Sequence, residues 1–177
     1  DITERKQVEE TLRQNQECLN LALEAAQMGV WDWDLQTNGI FWSPECYKIL
    51  GVDSCDGTLA AFTKVVHPED LPRIMKAMDE TLANRTPYAV EYRIIRSGGQ
   101  VRWVANVARP HYDADGKPLR LLGTIQDITL RKAAEATLRE SEEKFRQLVD
   151  TITDVFWITS PDQLQVLYIS PAYERVW

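Results

Sequence analysis

The chain has 177 residues, 44% of them apolar and 9% aromatic, enough to bury a core and to exclude wholesale disorder. Lys and Arg number 20 against 27 Asp and Glu, and the net charge of −7 argues against sequence-independent binding to nucleic acid or anionic lipid. No apolar run approaches the ~20 residues of a membrane span, no signal peptide is present, and the first residue is Asp rather than Met, so the segment reads as a piece of a longer chain.

Along the first 28 residues, Val8, Leu12, Asn15, Leu19, Ala22 and Ala26 fall four and three apart, an a/d seam at heptad spacing. From residue 17 to 28, Leu19, Ala22, Leu23 and Ala26 also predict an amphipathic helix. Val30 to Leu35 alternates as a strand, with Trp31, Trp33 and Leu35 on one face. Asn38-Gly39 predicts a two-residue type I′ turn into a short strand, Ile40 to Trp42. Ser43-Pro44 then starts a helix as N-cap and N1, and Gly51 stops it. Thr58 to Val66 reads as a further short helix.

A longer helix follows His67-Pro68-Glu69-Asp70, an acidic first turn that suits the macrodipole, with Leu71, Ile74, Met75, Met78 and Leu82 in one apolar stripe. Pro72 must lie in its first turn. Three strands close the pattern, Tyr88–Arg96, Val101–His111 and Leu119–Gln126, joined by turns at 97–100 and 113–117. Five strands joined mostly by hairpins, with helices inserted after the second, make an α+β class with an antiparallel sheet and helices on one face.

The segment also repeats itself. Asp1-Ile2-Thr3-Glu4-Arg5-Lys6 returns as Asp127-Ile128-Thr129-Leu130-Arg131-Lys132, an offset of 126 residues. Trp31 returns as Trp157 and, with one residue inserted, Trp42-Ser43-Pro44 aligns with Ile169-Ser170-Pro171. A period this long means tandem whole domains rather than a solenoid. The seam returns too, as Ala134, Leu138, Ser141, Phe145, Leu148 and Ile152. Both stretches read either as weak coiled coils that join copies of the chain or as amphipathic helices capping their own domains. Residues 155–159 and 165–169 predict a hairpin that is marginal without partners.

Enzymatic signatures are absent: there is no glycine-rich phosphate loop, nucleophile elbow or metal-ligand cluster. Cys18, Cys46 and Cys55 lack CxxC or His spacing and read as reduced thiols of a cytoplasmic protein. His67 reads as a residue of a helix start, with metal or haem ligation as the other reading. Trp31, Trp33, Trp42, Tyr47, Tyr92 and Trp103 fall on elements that should converge on one core, where they either pack or stack on a planar cofactor such as flavin.

These features together resemble a PAS domain with its C-terminal PAC segment, the sensory module of bacterial histidine kinases and diguanylate cyclases. The resemblance rests on Val30-Trp31-Asp32-Trp33-Asp34, Trp42-Ser43-Pro44, Ile49-Leu50-Gly51, His67-Pro68-Glu69-Asp70 and Glu91-Tyr92-Arg93. It continues through Gly99-Gln100-Val101-Arg102-Trp103-Val104, Gly116 and Gly123 to Asp127-Ile128-Thr129. It implies a PAS fold over 17–129, a helical linker with the end of a preceding PAC segment over 1–16, a second helical linker over 130–142, and the opening of a second PAS domain over 143–177. Helices would enclose a cavity against the sheet, with Trp31, Trp33, Trp42, Tyr47, Met78, Tyr92 and Trp103 as its candidate lining.

The resemblance also implies that Asp127, Ile128 and Thr129 pass a signal into the following helix, and we expect Asp127 to pair with Arg93 or Arg102. The photoreceptor subtype's cysteine pattern is missing around Cys46 and Cys55, and the helix after Asp70 carries no histidine for haem. FAD or FMN remains open, and most members of this type have no identified ligand. Two readings follow: a sensor of a small ligand or redox state, or a ligand-free dimerisation and relay module. The two heptad seams predict a parallel homodimer through the helical linkers; adjacent PAS and output domains are the other expected partners, with no contact with nucleic acid or membrane by this segment and no catalysis within it. The expected location is cytoplasmic, with a membrane-anchored parent left open.

Overall fold

The computed structural model describes residues 2–54, 56–151, 155–161, 165–170 and 173. Cys55, Ile152 and Pro171 lie outside the described residues. The chain divides into two compact units, 1–129 and 130–177.

In the first unit, one uninterrupted helix, α1 (Ile2–Ala25), covers both the expected linker and the helix expected from residue 17. Ion pairs one turn apart, Arg5–Glu9 and Arg13 with Glu10 and Glu17, run along its exposed surface, where solvent screens them. The helix ends three residues before the expected position 28, because Gln27 adopts a left-handed φ of 52° and turns the chain into a strand.

Five strands follow in the first unit: β1 (Met28–Asp34), β2 (Ile40–Trp42), β3 (Tyr88–Ile95), β4 (Val101–Tyr112) and β5 (Pro118–Asp127). They form one sheet in the order β2-β1-β5-β4-β3, with every neighbouring pair antiparallel. The helices α2 (Pro44–Leu50), α3 (Leu59–Val65) and α4 (Leu71–Asn84) are inserted between β2 and β3. Their buried faces, among them Cys46, Ile49, Phe62, Ile74 and Met78, join Trp31, Trp33, Tyr92, Val104 and Leu121 of the sheet in one core. The period-2 burial along β1 accounts for this: Gly29, Trp31 and Trp33 are buried while Asp34 is exposed.

Three local expectations are corrected. Asn38-Gly39 is not a type I′ turn, because Asn38 takes a positive φ of 60° but Gly39 does not. The Asp34 N–H donates to the Gly39 carbonyl (2.8 Å), which leaves a four-residue loop between them. Inside that loop the Asp34 carboxylate accepts from the N–H groups of Gln36 and Thr37, an Asx-type turn that competes with the tighter one. Second, Ser43 sits at the N-cap of α2 but its side chain makes no capping bond. Its Oγ instead accepts from the Val30 N–H (2.9 Å). Third, Glu69 and Asp70 precede α4 rather than forming its first turn, and the Asp70 carboxylate is directed to β3.

The second unit holds the rest of α5 (Thr129–Thr151) and a hairpin of β6 (Trp157–Thr159) and β7 (Val166–Ile169). It reproduces the opening of the first sheet at two register pairs and at the serine that follows. Trp31 pairs with Trp42 and Trp157 with Ile169; Asp32 pairs with Phe41 and Ile158 with Tyr168. Ser43 donates its N–H to the Val30 carbonyl as Ser170 does to Phe156, and each serine Oγ accepts the N–H of the same residue in return. The extra residue of the second copy is absorbed where the register shifts between Ile158 and Thr159. From α5, Phe145 stacks edge-on against Tyr168 of β7 (5.9 Å), so this seam residue packs on its own hairpin while Leu138 stays exposed.

Candidate functional site

Three connected groups of residues in the first unit can carry function: the core between sheet and helices, a clamp on the edge strand β3, and the junction of β5 with α5.

In the core, the indole N–H of Trp31 donates to Asn106 Oδ1 (2.9 Å), and Asn106 Nδ2 donates to Tyr92 Oη (2.9 Å). All three are buried, so the chain of hydrogen bonds is fully desolvated. Burial pushes the Tyr92 hydroxyl well above the usual phenol range. Beside Asn106 lies a cavity of about 30 Å³. Trp31, Trp33, Trp42 and Met78 line it, with Cys46 and Phe62, which sequence reasoning had not placed there. Tyr47 does not line it but stacks edge-on against Trp42 (5.7 Å). Tyr92 is joined to it through Asn106, and Trp103 belongs to the opposite face of the sheet, one residue out of phase with buried Val104.

Such a cavity has room for about one or two waters, whereas cofactor pockets run to roughly 300 Å³ and more. A space of that size, walled by three indoles, does not fit a flavin or a haem. His67 caps a turn, its Nδ1 accepting from the Glu69 N–H (3.3 Å). Among the described residues no three His, Cys, Asp or Glu side chains stand close enough to hold a metal ion.

On the free edge of β3, Asp70 accepts three hydrogen bonds from Arg93: its backbone N–H (2.8 Å), Nε (3.0 Å) and Nη2 (2.7 Å). Arg93 Nη2 also reaches Glu69 (2.9 Å), and the Arg93 carbonyl accepts from the His67 N–H. The segment His67–Asp70 therefore covers the edge strand at Arg93 and satisfies its outward N–H and C=O. The Arg93 guanidinium holds the Asp70 carboxyl at about 2 and is itself pushed up in return. It also lies over the ring of its cross-strand partner Trp103 (5.9 Å).

Trp103 leads to the third group. Its carbonyl accepts from the Ile128 N–H (2.9 Å), and its N–H donates to Thr129 Oγ1 (3.0 Å). Asp127 Oδ1 accepts from the Thr129 N–H (2.9 Å) and hydroxyl (2.6 Å) at the first residue of α5. Arg102 approaches Asp127 at 3.4 Å, with both side chains about a third exposed, a pair worth under about 1 kcal/mol. Of the two arginines expected to pair with Asp127, Arg93 is committed to Asp70 and Glu69. The tie between strand and helix runs chiefly through Thr129 and the Trp103 backbone.

Comparison with known proteins decides the family. A PAS fold family model (PAS_3) matches residues 39–125. The crystal structure of a sensory box histidine kinase/response regulator from Burkholderia thailandensis E264 superposes with a TM-score of 0.62 at 35% identity, covering 73% of this chain and 98% of that one. The chain belongs to the PAS fold family. Among curated relatives, the probable diguanylate cyclase DgcE of Escherichia coli (strain K12) is 25% identical over 99% of the chain. The sensor protein FixL of Bradyrhizobium diazoefficiens is 26% identical over 90% of it. The chain spans 16% and 32% of those two relatives' lengths. The PAS fold is a signal-sensing and relay module rather than a catalytic one. No helix among the described residues is long and apolar enough to cross a membrane.

Proposed function

We propose that the first unit works as a PAS relay module whose output is the junction Asp127-Ile128-Thr129, and that it does so without a bound cofactor. The observation that carries this reading is the bonding of Thr129 and Ile128 to the Trp103 backbone, which makes the start of α5 answer to the geometry of β4 and β5. A rearrangement of the sheet would release or tighten those bonds and so reset the helix start. Relay energies are typically 1–3 kcal/mol, the scale of one or two such bonds. The sensing reading keeps one specific support, the polar Asn106 at the wall of the cavity, which would suit a ligand no larger than a few atoms.

The second unit, with its matching serine clasp and strand register, is the opening of a further PAS domain in the same parent, a cytoplasmic sensor kinase or diguanylate cyclase. The parent forms a parallel homodimer through α1 and α5, whose seam residues Val8, Leu12, Leu19 and Leu138 are exposed. Thr129→Val in the parent removes the hydroxyl that joins Asp127 to Trp103 and is expected to change output at least severalfold; unchanged output would overturn the relay. Absorbance between 300 and 500 nm in the purified protein would overturn the cofactor-free reading. Monomeric sedimentation at high micromolar concentration would overturn the dimer.

A further inference from the structure

We infer that Gln126 is the positioning residue that couples the incoming helix α1 to the output junction, by a route that does not pass through the core cavity. The Gln126 side chain donates from Nε2 to the carbonyl of Ala26 (3.0 Å), one residue past the end of α1. Its backbone is paired with Met28, the first residue of β1, and its carbonyl carbon is bonded to Asp127. One residue therefore holds the exit of the incoming helix with its side chain and stands three residues before Thr129, the first residue of the outgoing helix.

The exit it holds is a strained one. Gln27, between Ala26 and Met28, sits at a left-handed φ of 52°, a conformation a non-glycine side chain keeps when its surroundings impose it. Two constraints flank it: the Gln126 side chain on the Ala26 carbonyl and the Met28–Gln126 ladder pair. A displacement of α1 would pull on both, and both end on the residue before Asp127. The inference deepens the relay reading above and rests on it for its use, while the link itself is tested separately.

Hydrogen exchange of the 177-residue chain provides the test. Gln126→Leu keeps the bulk and removes the donor, and is expected to speed exchange of amides 22–27 about fivefold, the change one hydrogen bond supports. Gln126→Lys restores a donor and places a cation at a helix C-terminus, so those amides should return close to wild-type rates. Thr129→Val is expected to speed the same amides in the wild-type background and to add nothing in Gln126→Leu. Exchange that is equal in Gln126→Leu and Gln126→Lys, or a Thr129→Val effect that persists without Gln126, overturns the link. Coupled exchange together with unchanged output of the Thr129→Val parent would leave the link standing and overturn the relay reading alone.

Discussion

Asp70→Asn tests the clamp on β3 most directly. Asp70 is 8% exposed, and its carboxylate takes three N–H groups of Arg93 at 2.7–3.0 Å. Those bonds hold its folded pKa at about 2, below the ordinary carboxylate value of about 3.9. A depressed folded pKa makes the ionised group a source of stability that is complete above about pH 4 and fades as pH falls toward 2. At 1.36 kcal/mol per unit the amount is about 2–3 kcal/mol. Asparagine keeps one acceptor oxygen but turns an NH₂ toward the guanidinium. Arg93 retains Glu69 at 2.9 Å and is 28% exposed, which keeps the loss below the 3–5 kcal/mol of a fully buried pair. Urea unfolding followed by the fluorescence of Trp31, Trp33, Trp42 and Trp103 should show Asp70→Asn less stable by about 2 kcal/mol at pH 7. The gap should narrow by about 1 kcal/mol at pH 3. Glu69→Gln, whose side chain is 72% exposed, should cost under about 1 kcal/mol. A pH-independent gap, or one below about 0.5 kcal/mol at pH 7, would refute the clamp.

Two further substitutions probe the core and the first hairpin. Asn106→Leu should lower stability by about 2–4 kcal/mol in the same urea assay, because it leaves the buried Trp31 indole N–H and Tyr92 hydroxyl without their partner; a neutral result would show that the network is dispensable. Gly39→Ala should stay within about 0.5 kcal/mol of wild type, since Gly39 has no positive φ and an added Cβ would meet nothing nearer than Thr37 Oγ1 at 3.4 Å. A loss of more than about 1 kcal/mol would favour the two-residue turn instead.

Much of the fold is legible because its signals are local. Alternation in β1, Gly51 at a left-handed φ of 68° after α2, and the Gly98-Gly99 turn are each dictated by a few neighbouring residues. The site is less legible because its side chains have partners far along the chain. Asp70 reads as a helix N-terminal charge until Arg93, 23 residues later, competes for its carboxylate. Ser43 reads as a cap until the Val30 N–H takes its oxygen. Hydrophobicity alone groups Trp103 with the core tryptophans, whereas its phase relative to Val104 and Asn106 sets it on the other face. Asn106 did leave a signal, a polar residue at an inward position between Val104 and Ala108.

The 126-residue repeat and the Gln126 link bear on one another. In sequence Asp1-Ile2-Thr3 is the counterpart of Asp127-Ile128-Thr129, so α1, the helix that enters this module, is the counterpart of α5, the helix that leaves it. In the first unit α1 leads into β1, and the Asp127-Ile128-Thr129 motif fixes the start of α5. The end of α1 is tied to Gln126, the residue preceding that motif. The end of α1 and the start of α5 are thus held by hydrogen bonds between neutral groups, apart from the Asp127 carboxylate and its Arg102 partner. Neutral bonds depend far less on ionic strength than the exposed pairs along α1, so salt should loosen the linker surfaces before it loosens the junctions.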